Sequence, residues 1–124
     1  MHHLIRPTLY GSFHFVWPTD VAPMHEPKQR QAQMDIQGLE TCDVVGPICE
    51  SGDYLAKDRM LPPLTRGELL CVFSAGAYGM VMGSNYNGMP RPCEVLVQGS
   101  EAKIIRRRET YEDMIDMELD VHIV

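Results

Sequence analysis

The stretch ELLCVF at residues 68–73 is the clearest strand signal in the chain. Turn signals bound this apolar run on both sides. LPPLTRG at 61–67 precedes it, and the glycine- and asparagine-rich SAGAYGMVMGSNYNGMPRP at 74–92 follows it. A short apolar run between turn signals is typical of a buried strand. We therefore predict a buried strand over 68–73 that leads into a glycine-rich loop.

Working outward, most of the other segments are also short strands. Residues 12–17 (SFHFVW) alternate polar and apolar side chains, which is a strand pattern. Further strands are predicted at 43–48, 94–98 and 103–107. Many short strands between turns favour a mainly β domain, barrel-like or sandwich-like, with a few short helices.

Helix signals are weaker and sit near the ends of the chain. A helical turn over 4–10 is expected to be interrupted early by Pro7, and residues 54–59 have weak helical character. Thr110 and Asp113 have the spacing of a capping box, which predicts a helix over 110–117.

Composition bounds the class of protein. The chain has 124 residues, enough for one domain, and its net charge of -6 argues against a general nucleic-acid surface. Residues 18–33 combine prolines, charges and glutamines without apolar periodicity, so we expect an exposed loop. The basic run at 106–108 is followed by acidic residues, and we expect a solvated, mutually neutralised face.

Targeting and metal signals are weak. No apolar run approaches the roughly 20 residues that cross a bilayer, so no membrane partner is expected. No secretory signal is visible, and we expect a cytoplasmic protein. The four cysteines form no CxxC pair, so neither a zinc site nor a disulfide framework is expected. They lie at positions 42, 49, 71 and 93.

Three groups of side chains could carry chemistry. Cys49 and Glu50 lie side by side in GPICESGD, residues 46–53, and could act as a nucleophile or proton donor. On spacing alone a structural cysteine beside a surface glutamate is the favoured interpretation. Arg6 and Tyr10 share one face of a helical turn and could hold a carboxylate, although such pairs are more often surface stacks. Tyr78 could act as a donor from the loop SAGAYG, which by itself is a weak phosphate signal.

Three motifs follow one another along the chain: RPTLY at 6–10, GPICESGDYLAKDRMLP at 46–62 and GELLCVFSAGAYGMVMGSNYNGMPRPCEVLV at 67–97. In this order they closely resemble the C-terminal β domain of the diaminopimelate decarboxylases. These are fold-type III pyridoxal-phosphate decarboxylases that pair a TIM barrel with a β domain. The resemblance runs from about residue 4 to about residue 115, apart from the loop at 18–33.

The resemblance implies a role for each candidate residue. Arg6 and Tyr10 match residues that bind the distal carboxylate of the substrate, and Glu50 matches the acid that pairs with the distal ammonium. Cys49 matches a cysteine that reaches the reacting carbon in the partner subunit's active site. Tyr78 matches a tyrosine that contacts the substrate and the cofactor phosphate. A homodimer with active sites at its interface is therefore expected.

The resemblance also implies groups that this sequence does not supply. The family holds pyridoxal 5'-phosphate as a Schiff base on a lysine of its TIM barrel, and Lys28, Lys57 and Lys103 match none of that motif. A TIM barrel takes about 250 residues, more than the whole chain. We therefore expect a single, incomplete C-terminal β domain over 1–124, with the barrel absent and no activity on its own.

The reaction implied by the resemblance converts meso-2,6-diaminopimelate into L-lysine and CO2. Two alternatives stay open from the sequence. One is a related decarboxylase acting on ornithine, arginine or carboxyspermidine. The other is a non-catalytic β module that binds a partner protein.

Overall fold

A computed structural model describes residues 1–119, in which short strands dominate. One histidine of the sequence, His122, lies outside the described residues. Two α-helices and six strands follow in chain order: α1 Arg6–Tyr10, β1 Val16–Pro18, β2 Glu40–Val45, β3 Tyr54–Leu61, β4 Leu70–Val72, β5 Glu94–Gln98, β6 Glu101–Arg106 and α2 Tyr111–Leu119. Three short 3-10 turns lie at Pro23–His25, Met80–Met82 and Tyr86–Gly88.

Within residues 1–119 the strands form three antiparallel pairs, and the prediction of a mainly β domain is confirmed. The β2–β3 pair is the longest and runs from Glu40 opposite Leu61 to Val45 opposite Tyr54, with irregular register after Cys42. The β1–β4 pair places Trp17 opposite Cys71. The β5–β6 hairpin is closed by a tight turn.

The helix expected over 54–59 is wrong, because this segment begins strand β3. Its central residues are polar and provide little strand signal. Pairing with β2 decides the outcome, since it satisfies the backbone groups and places Ala56 and Leu61 in the interior. Asp58 takes a φ of 51° where the register is irregular, and its N–H donates to Asp43 Oδ1 at 2.8 Å.

The remaining segments were predicted in type, with differences in length. Strand β5 matches the expected 94–98, and β6 is paired over Glu101–Arg106. The strand predicted over 68–73 contracts to β4 and is only half-buried, because β1 is its only paired neighbour within the described part of the chain. Helix α2 forms as predicted: the Asp113 N–H donates to Thr110 Oγ1 at 3.3 Å, and the Thr110 N–H donates to Asp113 Oδ2 at 2.8 Å.

The core lies between the β1–β4 and β2–β3 pairs. Phe15 and Trp17 stack with their ring centroids 5.5 Å apart, and Met34 and Leu61 pack with them. Leu61 is only 1% exposed. The segment over 18–33, expected to be an exposed loop, begins with the last residue of β1 and packs Arg30 over the Phe73 ring at 4.2 Å.

The β5–β6 hairpin exposes apolar side chains on both faces. Val95 and Val97 lie on one face and Leu96 on the other, and all three are about half exposed or more. Among residues 1–119, no helix combines the length and the apolar character that crossing a membrane requires.

Candidate functional site

Helix α1 presents the first pair of candidate residues. It begins at Arg6 and ends at Tyr10, followed by Gly11 at a φ of 62°. The interruption predicted at Pro7 does not occur, because Pro7 sits in the first turn of the helix, where a backbone N–H has no intrahelical partner. Arg6 and Tyr10 are one turn apart and share a face, as predicted. Tyr10 is 63% exposed.

Two hydrogen bonds dock α1 onto the chain around residue 52. The Thr8 hydroxyl donates to the Gly52 carbonyl, and the Tyr54 hydroxyl donates to the Pro7 carbonyl at 3.2 Å. A Cβ on Gly52 would lie 2.9 Å from Thr8 Cγ2, so only glycine allows this approach. The helix is therefore held against the GPICESGD turn.

A buried carboxylate organises that turn from inside. Asp53 is 3% exposed, and its Oδ2 accepts the Ile48 N–H at 2.8 Å. Its carbonyl accepts the Gly46 N–H at 2.8 Å. Burial raises the pKa of the Asp53 carboxyl, and the hydrogen bond from the Ile48 N–H lowers it. The Asp53 carboxyl and carbonyl thus hold the turn that carries Cys49 and Glu50.

Cys49 and Glu50 both lie on the outside of the turn. Cys49 is a free thiol and is exposed. Glu50 is also exposed, and its Oε1 accepts the Gly52 N–H at 2.9 Å. The carboxylate is therefore fixed at the turn tip.

Tyr78 completes the group from a distant part of the sequence. The Arg6 guanidinium lies 5.9 Å from the Tyr78 ring centroid, within reach of a cation–π contact. Tyr78 has a φ of 62° and is 62% exposed, so a bulky residue occupies the left-handed region at the surface. Such strain often marks a functional position. Gly79 is required here, because a Cβ would lie 2.5 Å from the Ala75 carbonyl oxygen.

The site is an open surface. Arg6 offers a cation, Tyr10 and Tyr78 offer phenols, and Cys49 and Glu50 offer a thiol and a carboxylate on the adjoining turn. Such a set can bind a zwitterion by ion pairs and hydrogen bonds. A concavity of about 470 Å³ lies elsewhere, against residues 23–37.

Sequence reasoning missed four side chains or glycines that build this arrangement: Thr8, Gly46, Asp53 and Tyr54. Gly46 and Asp53 were visible in GPICESGD, but there they read as ordinary turn residues. The available signal was Gly46 at the start of this motif together with Asp53 directly before strand β3. No spacing rule points to Thr8 or Tyr54, because their partners lie more than forty residues away in the chain. The functional roles of the five predicted residues remain predictions.

Comparison with known proteins places the chain in a family. Residues 1–76 match the model of the pyridoxal-dependent decarboxylase, C-terminal sheet domain. The chain is 50% identical over 113 residues to a diaminopimelate decarboxylase of Archaeoglobus fulgidus, covering 91% of this chain and 24% of that protein. A diaminopimelate decarboxylase of Aquifex aeolicus is 44% identical over 121 residues, covering 98% of this chain and 26% of that protein.

Solved structures agree with this assignment. The crystal structure of a diaminopimelate decarboxylase from M. jannaschii in complex with L-lysine superposes with a TM-score of 0.80 at 32% identity. The match covers 99% of this chain and 25% of that one. The chain therefore spans about a quarter of the length of its relatives. It belongs to the pyridoxal-dependent decarboxylases, as their C-terminal sheet domain.

Proposed function

We propose that this chain is the substrate-recognition and dimerisation domain of an enzyme that decarboxylates meso-2,6-diaminopimelate to L-lysine and CO2. One observation carries the proposal: helix α1 is docked on the GPICESGD turn with Arg6 beside Tyr78. Helix α1, which carries Arg6 and Tyr10, thereby lies beside the turn that carries Cys49 and Glu50. Relatives named diaminopimelate decarboxylase, at 40–50% identity, support this substrate in preference to others.

The distal end of the substrate is where this chain acts. In the proposal Arg6 and Tyr10 bind the distal carboxylate, the guanidinium by a charge-assisted fork and the phenol by one hydrogen bond. Glu50 pairs with the distal ammonium. A substrate without the distal carboxylate would leave the Arg6 charge without its partner, which is an effective basis for discrimination.

Tyr78 suits a contact with pyridoxal phosphate, because its exposed phenol stands on a strained loop beside a cation. When bound, this cofactor supplies a ring that accepts the electrons released as CO2 leaves. None of the three lysines of the chain is among these groups: Lys28 is in the 18–33 segment, Lys57 lies over the Tyr54 ring at 4.1 Å, and Lys103 is on the β5–β6 hairpin. The lysine that anchors the cofactor is accordingly expected outside this chain.

Cys49 is proposed to return a proton to the carbon that loses CO2. Its exposed position on the turn supports a role toward a second copy of the protein, in a homodimer whose active sites combine both subunits. Four free cysteines at positions 42, 49, 71 and 93 fit a reducing, cytoplasmic location.

The test uses the complete protein that contains this chain, purified with pyridoxal phosphate. We expect turnover of meso-diaminopimelate, with ornithine, arginine and carboxyspermidine at least 100-fold poorer, since a site built for a polar group rejects analogues lacking it. Arg6→Gln should raise KM for diaminopimelate about 30-fold, as expected when a hydrogen bond to a charged group is lost. The exposed Arg66→Gln is the matched control and should leave KM unchanged.

Preference for ornithine, arginine or carboxyspermidine would assign the protein to a related decarboxylase instead. Failure to bind pyridoxal phosphate or to turn over any of the four substrates would favour a non-catalytic module. Equal effects of Arg6→Gln and Arg66→Gln would contradict the role given to Arg6.

A further inference from the structure

A carboxylate outside the predicted site, that of Glu109, joins two ends of a turn. Glu109, between β6 and α2, accepts the Arg91 N–H at 2.8 Å and the Arg91 Nη2–H at 2.9 Å. Its Oε2 also accepts the Asn85 side-chain amide, and its N–H donates to the Arg91 carbonyl at 3.1 Å. Hydrogen bonds from the Arg91 side chain and then from its backbone lower the pKa of Glu109 to about 2. The Glu109 carboxylate, as an anion, therefore accepts hydrogen bonds from both ends of residues 85–91, from Asn85 and from Arg91.

Residues 85–91 form an irregular turn around the short 3-10 turn Tyr86–Gly88. Asn87 and Gly88 both lie in the left-handed region, with φ values of 59° and 69°. Asn87 is there at a conformational cost that other contacts must offset. The Asn85 side chain spans the turn by donating to the Met89 carbonyl at 3.2 Å. Asn85 is in turn held by Glu109, so the turn and Glu109 form one hydrogen-bonded unit.

This turn contacts the segment that leads into α1. The Ser84 N–H donates to the His2 carbonyl at 2.9 Å, and His3 Nε2–H donates to the Pro90 carbonyl at 3.2 Å. Leu4, next along the chain, is buried, and Arg6 begins α1 two residues later. At the Ser84 end the turn follows directly from the Tyr78 loop, in which the Gly83 N–H donates to the Met80 carbonyl at 3.1 Å. The turn is thus joined to the segment ahead of Arg6 by hydrogen bonds and to Tyr78 by the chain itself.

We propose that Glu109 is a positioning residue, which sets the placement of Arg6 against Tyr78 through the turn at 85–91. The inference rests on the proposed function, in which Arg6 binds the distal carboxylate of the substrate. Glu109 itself touches neither Arg6 nor Tyr78. It acts by holding the turn against His2 and His3, and loss of its carboxylate frees the start of α1.

Asp113 provides a matched control four residues further on. It accepts a fork of hydrogen bonds from the Arg107 guanidinium and caps α2 with Thr110. Like Glu109 it is an acid in an ion pair on this side of the molecule, but its partners belong to residues 107–110 and not to the 85–91 turn. Asp113→Asn therefore removes a comparable ion pair while leaving the turn intact.

The experiment compares Glu109→Ala, Glu109→Gln and Asp113→Asn in the complete protein. Amide hydrogen exchange at Ser84 and Arg91 reports the turn directly. Binding of L-lysine and of 1,5-diaminopentane, by calorimetry, reports the placement of Arg6. The two ligands differ only by the carboxylate, which in the product is the distal one. Turnover of meso-diaminopimelate separates KM from kcat.

For Glu109→Ala we expect exchange at Ser84 and Arg91 to rise about tenfold and the L-lysine affinity to fall about fivefold, as for coupling through packed contacts. The affinity for 1,5-diaminopentane and kcat should stay within twofold, and KM should rise with the L-lysine dissociation constant. Glu109→Gln keeps an acceptor for the Arg91 N–H, so its exchange rates and its L-lysine affinity should lie between those of wild type and Glu109→Ala. Asp113→Asn should match wild type.

Unchanged exchange, or faster exchange with unchanged L-lysine affinity, overturns the inference. Equal loss of affinity for both ligands also overturns it, because that outcome indicates general damage. If Glu109→Ala does not fold, Glu109→Gln decides alone, and a wild-type result for it counts against the proposal. A wild-type protein that binds L-lysine but does not turn over diaminopimelate refutes the proposed function while leaving the Glu109 inference to the exchange and binding data.

Discussion

Gly46→Ala is expected to break the turn that carries Cys49 and Glu50. A Cβ at this position would lie 2.1 Å from Asp53 Oδ2 and 2.4 Å from its Cγ. The buried carboxylate would have to retreat by roughly 1 Å to reach van der Waals contact. That movement would break its 2.8 Å hydrogen bond from the Ile48 N–H. Overpacking and an unsatisfied buried polar group each cost about 1–3 kcal/mol, so we expect a loss near 3 kcal/mol.

Amide exchange at Ile48 in the complete protein measures this effect locally, and urea unfolding measures it globally. A loss of about 3 kcal/mol corresponds to roughly 100-fold faster exchange where opening limits it. Gly76→Ala is the matched control, because its Cβ would meet nothing within 4 Å. It should change stability by no more than about 0.5 kcal/mol. If Gly46→Ala were as stable as Gly76→Ala, Asp53 could not be the rigid centre of the turn.

Three further predictions follow from the structure. Leu61→Ala should lower the free energy of unfolding by about 2–5 kcal/mol, because Leu61 fills the core, whereas the exposed Leu64→Ala should change it by less than about 0.5 kcal/mol in the same urea titration. Thr110→Ala should destabilise the start of α2 by about 1 kcal/mol through loss of its cap, seen as faster amide exchange in the first turn of α2, and unchanged exchange there would contradict the capping role. The Glu109 carboxyl should titrate near pH 2 by NMR. Because its pKa is lower in the folded state than in the unfolded state, its contribution to stability is present above its ordinary pKa of 4.5 and is lost as the pH falls toward 2. A titration near pH 4.5 would refute the ion pair.

Local signals were sufficient where an element depends on its own residues. Strand β5 was predicted with its observed bounds because EVLVQ is followed directly by a tight turn, with Gly99 at a φ of 60°. The α2 cap was predicted because Thr110 and Asp113 bond to each other across one helical turn. The candidate residues Arg6 and Cys49 were found by resemblance over three ordered motifs, and spacing alone favoured a structural role for the cysteine.

Strand β3 shows where such signals fail. Its central residues are polar, and only pairing with β2 and burial of Ala56 and Leu61 make it a strand. The half-burial of β4 also depends on tertiary structure, because the burial of a strand depends on how many elements pack against it. Neither property is encoded in the segment itself.

By itself, the sequence determined the family, the mainly β class and the identities of the candidate residues, because these depend on residue types in a given order. Only the tertiary structure decided that Arg6 lies beside Tyr78 and that Asp53 holds the turn under Cys49. It also decided that Glu109 is hydrogen-bonded to residues 85–91. These contacts join residues far apart in the chain. They exist because packing and hydrogen bonding bring distant segments together, and no local pattern records which distant partner a side chain will meet.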